Sequence, residues 1–216
     1  MLTLIAAFAL GLTGRAPTTI DLEPVENVWV YSHASDPAND PFLRCWGGDG
    51  KSVAPNAAEA ENFSYSYLQF DLSSLPKNFK LSEAKLVLTH IPKPAYTLDV
   101  AKASPIEVRS LPSPFTEKTW SFENVTTESP KDGPDGMYGW ASPEKIPTDD
   151  QSFTITVDLL KTDVFKTALA QYVKDGKPLP MALTSAIDPE SKAVYKVYSR
   201  YGPTGKHPVL HLVFEG

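Results

Sequence analysis

The chain has 216 residues, 42% of them hydrophobic and 21% charged, with a formal charge of −6. That length suits one domain with a sizeable core, or two small ones, and the composition is that of an ordinary folded domain. The acidic balance argues against nucleic acid as a partner, because phosphate binding needs a basic patch, while twenty prolines and twelve glycines scattered between short apolar runs favour a turn-rich, all-β fold.

Leu2 to Leu12 is almost wholly apolar. At about 11 residues it falls short of the roughly 20 that a bilayer-spanning helix needs. Small residues and then Thr18-Thr19 follow, so residues 1–16 read as a signal peptide, cleaved after Gly11 or Ala16, although the usual basic n-region is missing. A buried N-terminal strand or helix is the alternative. No cysteine follows the run to take a lipid anchor, and no later stretch reaches transmembrane length. The expectation is a secreted, extracellular protein with no membrane span and a single domain over 17–216.

Asn27-Val28-Trp29-Val30-Tyr31 opens that domain as a strand. Residues 35–41 form a loop with two Asp-Pro pairs, 42–46 a short strand, 47–50 a tight turn and 52–61 a surface loop. Leu68, Phe70 and Leu72 then alternate on one face, and Ala84, Leu86 and Leu88 repeat the pattern downstream. The turn residues Ser73-Ser74-Leu75-Pro76 lie between, which predicts a central hairpin, with Asp71 ending its first strand through an Asx-type bond. Residues 98–101 and 106–111 read as strands, 112–120 and 129–136 as loops, and 153–159 as a strand with Phe153, Ile155 and Val157 on one face. A helix is predicted over 163–175, capped by Thr162, striped by Phe165, Leu169 and Tyr172, and ended by Gly176. Strands at 180–183, 193–201 and 209–214 complete the chain. About ten to twelve short strands with turn signals between them predict a jelly-roll β-sandwich with one short helix near the C-terminal third.

Tyr67-Leu68-Gln69-Phe70-Asp71-Leu72-Ser73-Ser74-Leu75-Pro76, followed by Leu81-Ser82-Glu83-Ala84-Lys85-Leu86-Val87-Leu88, resembles the core segment of DNRLRE-domain proteins, also grouped as carbohydrate-binding module family 96. Four further pieces in the same order are similar to that family: 40–48, 115–120, Val157-Asp158-Leu159 with the helix after it, and 198–210. Phe115 stands where a tryptophan is usual, and Tyr201 where an acidic residue is usual. The resemblance spans about residues 25 to 215. It implies a secreted jelly-roll module of the kind attached to polysaccharide-degrading enzymes or bacterial surface proteins, some of which bind alginate.

Sugar-binding modules stack exposed rings on sugar faces and meet the hydroxyls with polar groups. Parity sets Phe63, Tyr65 and Tyr67 opposite the core face, as a candidate aromatic platform, unless a neighbouring loop covers them. Trp46, Tyr138 and Trp140 lie beside Gly-rich loops and are further candidates, with loop packing as the other reading. Trp29 and Trp120 read as core or edge packing. Arg44, Arg200 and Lys206 could pair with uronate carboxylates, and Arg200 alternates with Tyr198 and Lys196 on one face. A structural calcium ion would need hard oxygen ligands such as Asp36, Asp40 and Asp49, but turn-forming acids fit that spacing better. Cys45, the single cysteine, reads as a small buried hydrophobe. His90 shares the parity of Leu86 and Leu88 and reads as a buried, hydrogen-bonded histidine. Asn62 and Asn124 head glycosylation sequons. No metal-binding histidine pair or nucleophile elbow is present, so no catalysis is expected, though 26 acidic residues leave a glycosidase pair open. The reading is a non-catalytic module for a polysaccharide or cell-surface glycan. The alternative is a structural or adhesive surface protein of the same fold, with a protein partner instead of a glycan.

Overall fold

The computed structural model describes residues 16–31, 39–46, 64–131, 133–185 and 194–215. The expected leader lies outside the described residues except for Ala16, as do Asp36, Asp49, Asn62 and Phe63. In chain order the elements are β1 (Thr18–Leu22), β2 (Glu26–Val30), β3 (Phe42–Cys45), β4 (Tyr65–Phe70), β5 (Leu81–His90), α1 (Leu98–Ala103), β6 (Ile106–Ser110), α2 (Asn124–Thr127), β7 (Met137–Ala141), β8 (Phe153–Asp158), α3 (Asp163–Asp175), β9 (Leu179–Ser185), β10 (Tyr195–Tyr198) and β11 (Val209–Phe214). The strands form two antiparallel sheets. The six-stranded sheet runs β1-β11-β5-β10-β3, with β8 on the other edge of β5; the five-stranded sheet runs β2-β4-β9-β6-β7. From β1 to β6 the chain changes sheet at every strand, which is the jelly-roll habit. Among the described residues no helix is long and apolar enough to cross a membrane.

Period-two alternation builds the core. Leu68 and Phe70 of β4, Met181 and Leu183 of β9, Leu86 and Leu88 of β5, and Ile155 and Val157 of β8 meet between the sheets. Cys45 and His90 are buried as expected, and so are Trp29 and Trp120.

The expected central hairpin is corrected: β4 and β5 lie in different sheets. An apolar face fits a sandwich equally well from either side, so alternation does not say which sheet a strand joins. The link between them runs over the end of the sandwich, with Leu72 and Leu75 buried in the core. Asp71 starts it as expected, its carboxylate accepting bonds from the Ser73 amide (2.9 Å) and hydroxyl (2.8 Å).

Residues 98–101 form not a strand but the start of α1, because Thr97 caps the turn by accepting a bond from the Val100 amide and Asp99 favours its N-terminus. The strand expected over 193–201 shortens to β10, since Ser199 begins a turn closed by the Gly202 amide. β1 and β7 are strands the sequence reading did not mark. α3 has the expected bounds and ends at Gly176 in the left-handed region (φ 63°). Thr162 holds the N-cap position, but its hydroxyl donates to the Met137 carbonyl (3.0 Å) and ties the helix to β7.

Candidate functional site

Tyr65 and Tyr67 do point away from the core face, onto the outer face of the second sheet, but they form no platform. Both are buried, in a second apolar cluster with Val28, Val30, Leu111, Phe115, Trp120 and Val125. Gln69 shares their face and fastens the cover. Its amide donates to the Phe115 carbonyl (3.2 Å), and its carbonyl accepts from the Phe115 amide (2.9 Å). The rings of Phe115 and Trp120 then pack edge-on to Tyr67 at 6.0 and 5.2 Å. Tyr138 is likewise corrected. It is buried in the main core, edge-on to Phe165 at 5.3 Å, because α3 closes over β7. Trp140, on the same strand, is 42% exposed, with the Lys161 ammonium 4.8 Å from its ring centre.

Arg200 is taken by an acid. Its Nε and Nη2 donate to the two oxygens of Glu117 at 3.2 and 2.7 Å, and its backbone amide donates to Asn27 (2.7 Å). Glu117 also accepts bonds from the Asn27 amide (3.0 Å) and the Tyr201 hydroxyl. Burial opposes its ionisation, but Arg200, Asn27 and Tyr201 outweigh burial and hold its carboxyl below the usual carboxylate range. Arg200 leaves the face of Lys196 and Tyr198 because β10 ends at Tyr198. A second such pair is nine-tenths hidden or more: Arg109 donates to Glu107 (2.9 Å) and to the carbonyls of Lys131 and Gly133, closing the loop before β7.

The remaining candidates, Arg44 and Trp46, lie together on the outer face of the first sheet. β3 pairs with β10 so that Phe42 faces Tyr198 and Arg44 faces Lys196. The alternation of both strands turns these four side chains outward, half-buried, while Leu43, Cys45 and Val197 enter the core. The Phe42 and Tyr198 rings lie 5.5 Å apart. The Lys196 ammonium sits 4.1 Å from the Phe42 ring centre, and the Lys206 ammonium 5.1 Å from that of Tyr198. The Arg44 guanidinium lies 4.6 Å from the ring centre of Trp29. Trp46 continues the strip, half-buried and 5.2 Å from Tyr31, where its backbone bridges to Ser64 and joins the two sheets.

Asp40 is the carboxylate of this corner. It accepts bonds from the Trp29 indole and the Phe42 amide (both 3.0 Å) and stands 3.9 Å from Arg44. Those contacts use it for local structure, and among the described residues no group of three or more His, Cys, Asp or Glu side chains could hold a metal ion. Neither Lys196 nor Lys206 reaches a carboxylate within ion-pair distance among the described residues. Burial, then repulsion from Arg44, against attraction by Asp40, holds the Lys196 ammonium pKa below its ordinary value.

A cleft of about 700 Å³ adjoins this strip. Thr89, Thr154 and Thr156 floor it from the outer face of β5 and β8, Ser142 and Ser152 stand in its wall, and Lys206 borders it while donating to Ser152 (2.9 Å). Among the described residues the strip and cleft together offer rings, hydroxyls, the cations Lys196 and Lys206, and the carboxylates of Glu144 and Asp149. Of these residues, the sequence reading named Arg44, Trp46, Lys206, Lys196 and Tyr198. It did not single out Phe42, Thr89 or Thr154, although their parity was legible. No family model matches the chain, and no curated protein matches its sequence.

Proposed function

We propose that this protein is a secreted, non-catalytic carbohydrate-binding module that holds an acidic polysaccharide on the outer face of β3 and β10. One observation carries the reading: among the described residues the Lys196 and Lys206 ammoniums lie over the Phe42 and Tyr198 rings, with Arg44 paired opposite Lys196 and Asp40 the carboxylate beside it, in a chain of net charge −6. Arg44 and Lys196 repel each other across the strand pair, and a polymer carrying carboxylates would relieve that repulsion. The rings supply flat apolar contact for sugar faces, and Arg44 offers a planar fork to a carboxylate. The resemblance to DNRLRE-domain proteins supports the same reading, and the apolar leader supports export. Two well-hidden carboxylates, Glu107 and Glu117, each bond to an arginine, which suits structure rather than acid–base work.

Affinity gels with residues 17–216 test it. An acidic polysaccharide should retard the protein and a neutral one should not, with retardation fading as salt rises. Phe42→Ala or Lys196→Ala should each weaken retention by about five- to tenfold, as the loss of one stacked or charged contact does. Equal retention by neutral and acidic polymers, or by neither, overturns it. Concentration-dependent assembly without glycan binding would favour a structural surface protein.

A further inference from the structure

The cleft and the aromatic strip are successive stations on one line across the sheet. Thr154 of β8 pairs with Thr89 of β5. β5 meets β10 at His90 and Val197, and the Ile91 amide donates to the Lys196 carbonyl (3.0 Å), so antiparallel register sets Tyr198 beside Thr89. Tyr198 in turn pairs with Phe42 of β3. Thr154, Thr89, Tyr198 and Phe42 therefore form a row perpendicular to the strands, all on the outer face. Three inter-strand steps of about 4.8 Å make that row roughly 14 Å long. Lys206 belongs to both halves, since its ammonium lies over Tyr198 and bonds to Ser152 in the cleft wall.

Charge differs along the row. At the β3 end, among the described residues, Arg44, Lys196 and Lys206 outnumber Asp40. In the cleft Lys145 and Lys206 are matched by Glu144 and Asp149, and hydroxyls dominate the floor. In the other direction, toward β1, the same sheet face presents Asp21, Glu23 and Glu83, bonded to His207, His211 and the cation Lys85 of β5. An acidic chain is thus repelled along β5 toward β1 and favoured across the strands toward β3.

We infer that the ligand is an internal stretch of an extended acidic polysaccharide lying across β8, β5, β10 and β3, with its carboxylates at the β3 end and its hydroxyls in the threonine-floored cleft. This rests on the carbohydrate reading above. The cleft is then a binding subsite, Thr89 and Thr154 meet sugar hydroxyls, and a disaccharide fills only the aromatic end.

Isothermal titration with polygalacturonate, alginate and hyaluronate, and with size-fractionated oligomers of each, tests this on the full domain. Affinity for a polymer that binds should climb with oligomer length beyond the disaccharide and then level off. The double variant Thr89→Val, Thr154→Val keeps β-branched residues on outward positions, so it should fold, as thermal unfolding will check. It should weaken long oligomers by about fivefold or more and leave the disaccharide unchanged, as loss of hydroxyl bonds alone would do. Phe42→Ala should weaken both. If Phe42→Ala weakens binding while the threonine variant changes nothing at any length, the cleft is no subsite and the carbohydrate reading stands alone. If none of the three polymers binds, both fall together.

Discussion

Gln69 decides whether two tyrosines bind a ligand or a loop. By hydrogen-bonding both backbone groups of Phe115, it imitates one more rung of sheet and holds the cover over Tyr65 and Tyr67. Gln69→Ala should lower unfolding free energy by about 1–3 kcal/mol, the cost of two buried backbone groups left without partners, as read from urea midpoints. Tyr67→Ala should cost about 3–5 kcal/mol, because it empties a buried site, while the binding proposed at β3 and β10 should be unchanged in the protein that remains folded. Arg200 behaves in the same way. Arg200→Ala leaves Glu117 ionised and largely hidden without its bidentate partner, and should destabilise by about 2–3 kcal/mol. Arg200→Lys should restore little of it, since one ammonium cannot match the planar fork. A depressed Glu117 carboxyl also means that its contribution is present above the ordinary carboxylate range and is lost as pH falls through the folded value.

At the scale of elements, two histidines join strands, with opposite pH behaviour. His90 sits at the pairing of β5 with β10, where its Nδ1–H donates to the Ile91 carbonyl (2.7 Å) and its Nε2 accepts the Lys196 amide (3.0 Å). That geometry requires a neutral ring, stacked on Phe153 at 4.8 Å and flanked by Tyr96 and Tyr195. Burial, with repulsion from Lys196 and against the Ile91 bond, lowers its pKa from 6.5 to about 4. Unfolding therefore takes up a proton between those values, and stability should fall from pH 6.5 toward pH 4 by up to about 3 kcal/mol. His90→Gln should flatten urea-unfolding stability over that window. His207, just before β11, does the reverse where it meets the link that follows the edge strand β1. Its bond to Glu23 (2.8 Å), and less so the Gly202 carbonyl, against burial, raises its pKa. Its contribution is full below the ordinary value of 6.5 and fades as pH rises through the folded one. Amide exchange in β1, corrected for intrinsic rates, should accelerate there, and His207→Ala should abolish the change.

At the scale of the whole molecule, Cys45 reports on integrity. It is buried between the sheets, and burial, reinforced by Glu107, pushes its thiol pKa up, so the reactive thiolate is withheld. A thiol reagent should label it only in step with loss of far-UV circular dichroism across a urea series; labelling well before that would show the sandwich opening locally. The charge distribution works at the same scale. Net charge is −6, yet cations collect at the β3–β10 corner and carboxylates at the β1 side of the same sheet. On the proposed reading, such segregation would orient an approaching acidic polymer before contact.

By itself the sequence determined what short-range chemistry dictates. Alternation gave the inner and outer faces of β4, β5, β8 and β10, cap and stop residues gave α3 its bounds, and the parity of His90 and the lone Cys45 gave their burial. The apolar faces and proline-rich turns were enough for a β-sandwich. Tertiary structure alone decided which strands are neighbours and which outer face is covered. β4 and β5 adjoin in sequence but part into two sheets, whereas β3 meets β10 across most of the chain. The period of a strand encodes a side, not a partner, so Tyr65, Tyr67, Tyr138 and Arg200 looked as available as Arg44 and Trp46. The long link from β6 to β7 and the helix α3 settled the matter by burying the tyrosines, and Glu117 by engaging Arg200, which left, among the described residues, the half-buried rings and cations of β3 and β10 on an outer face.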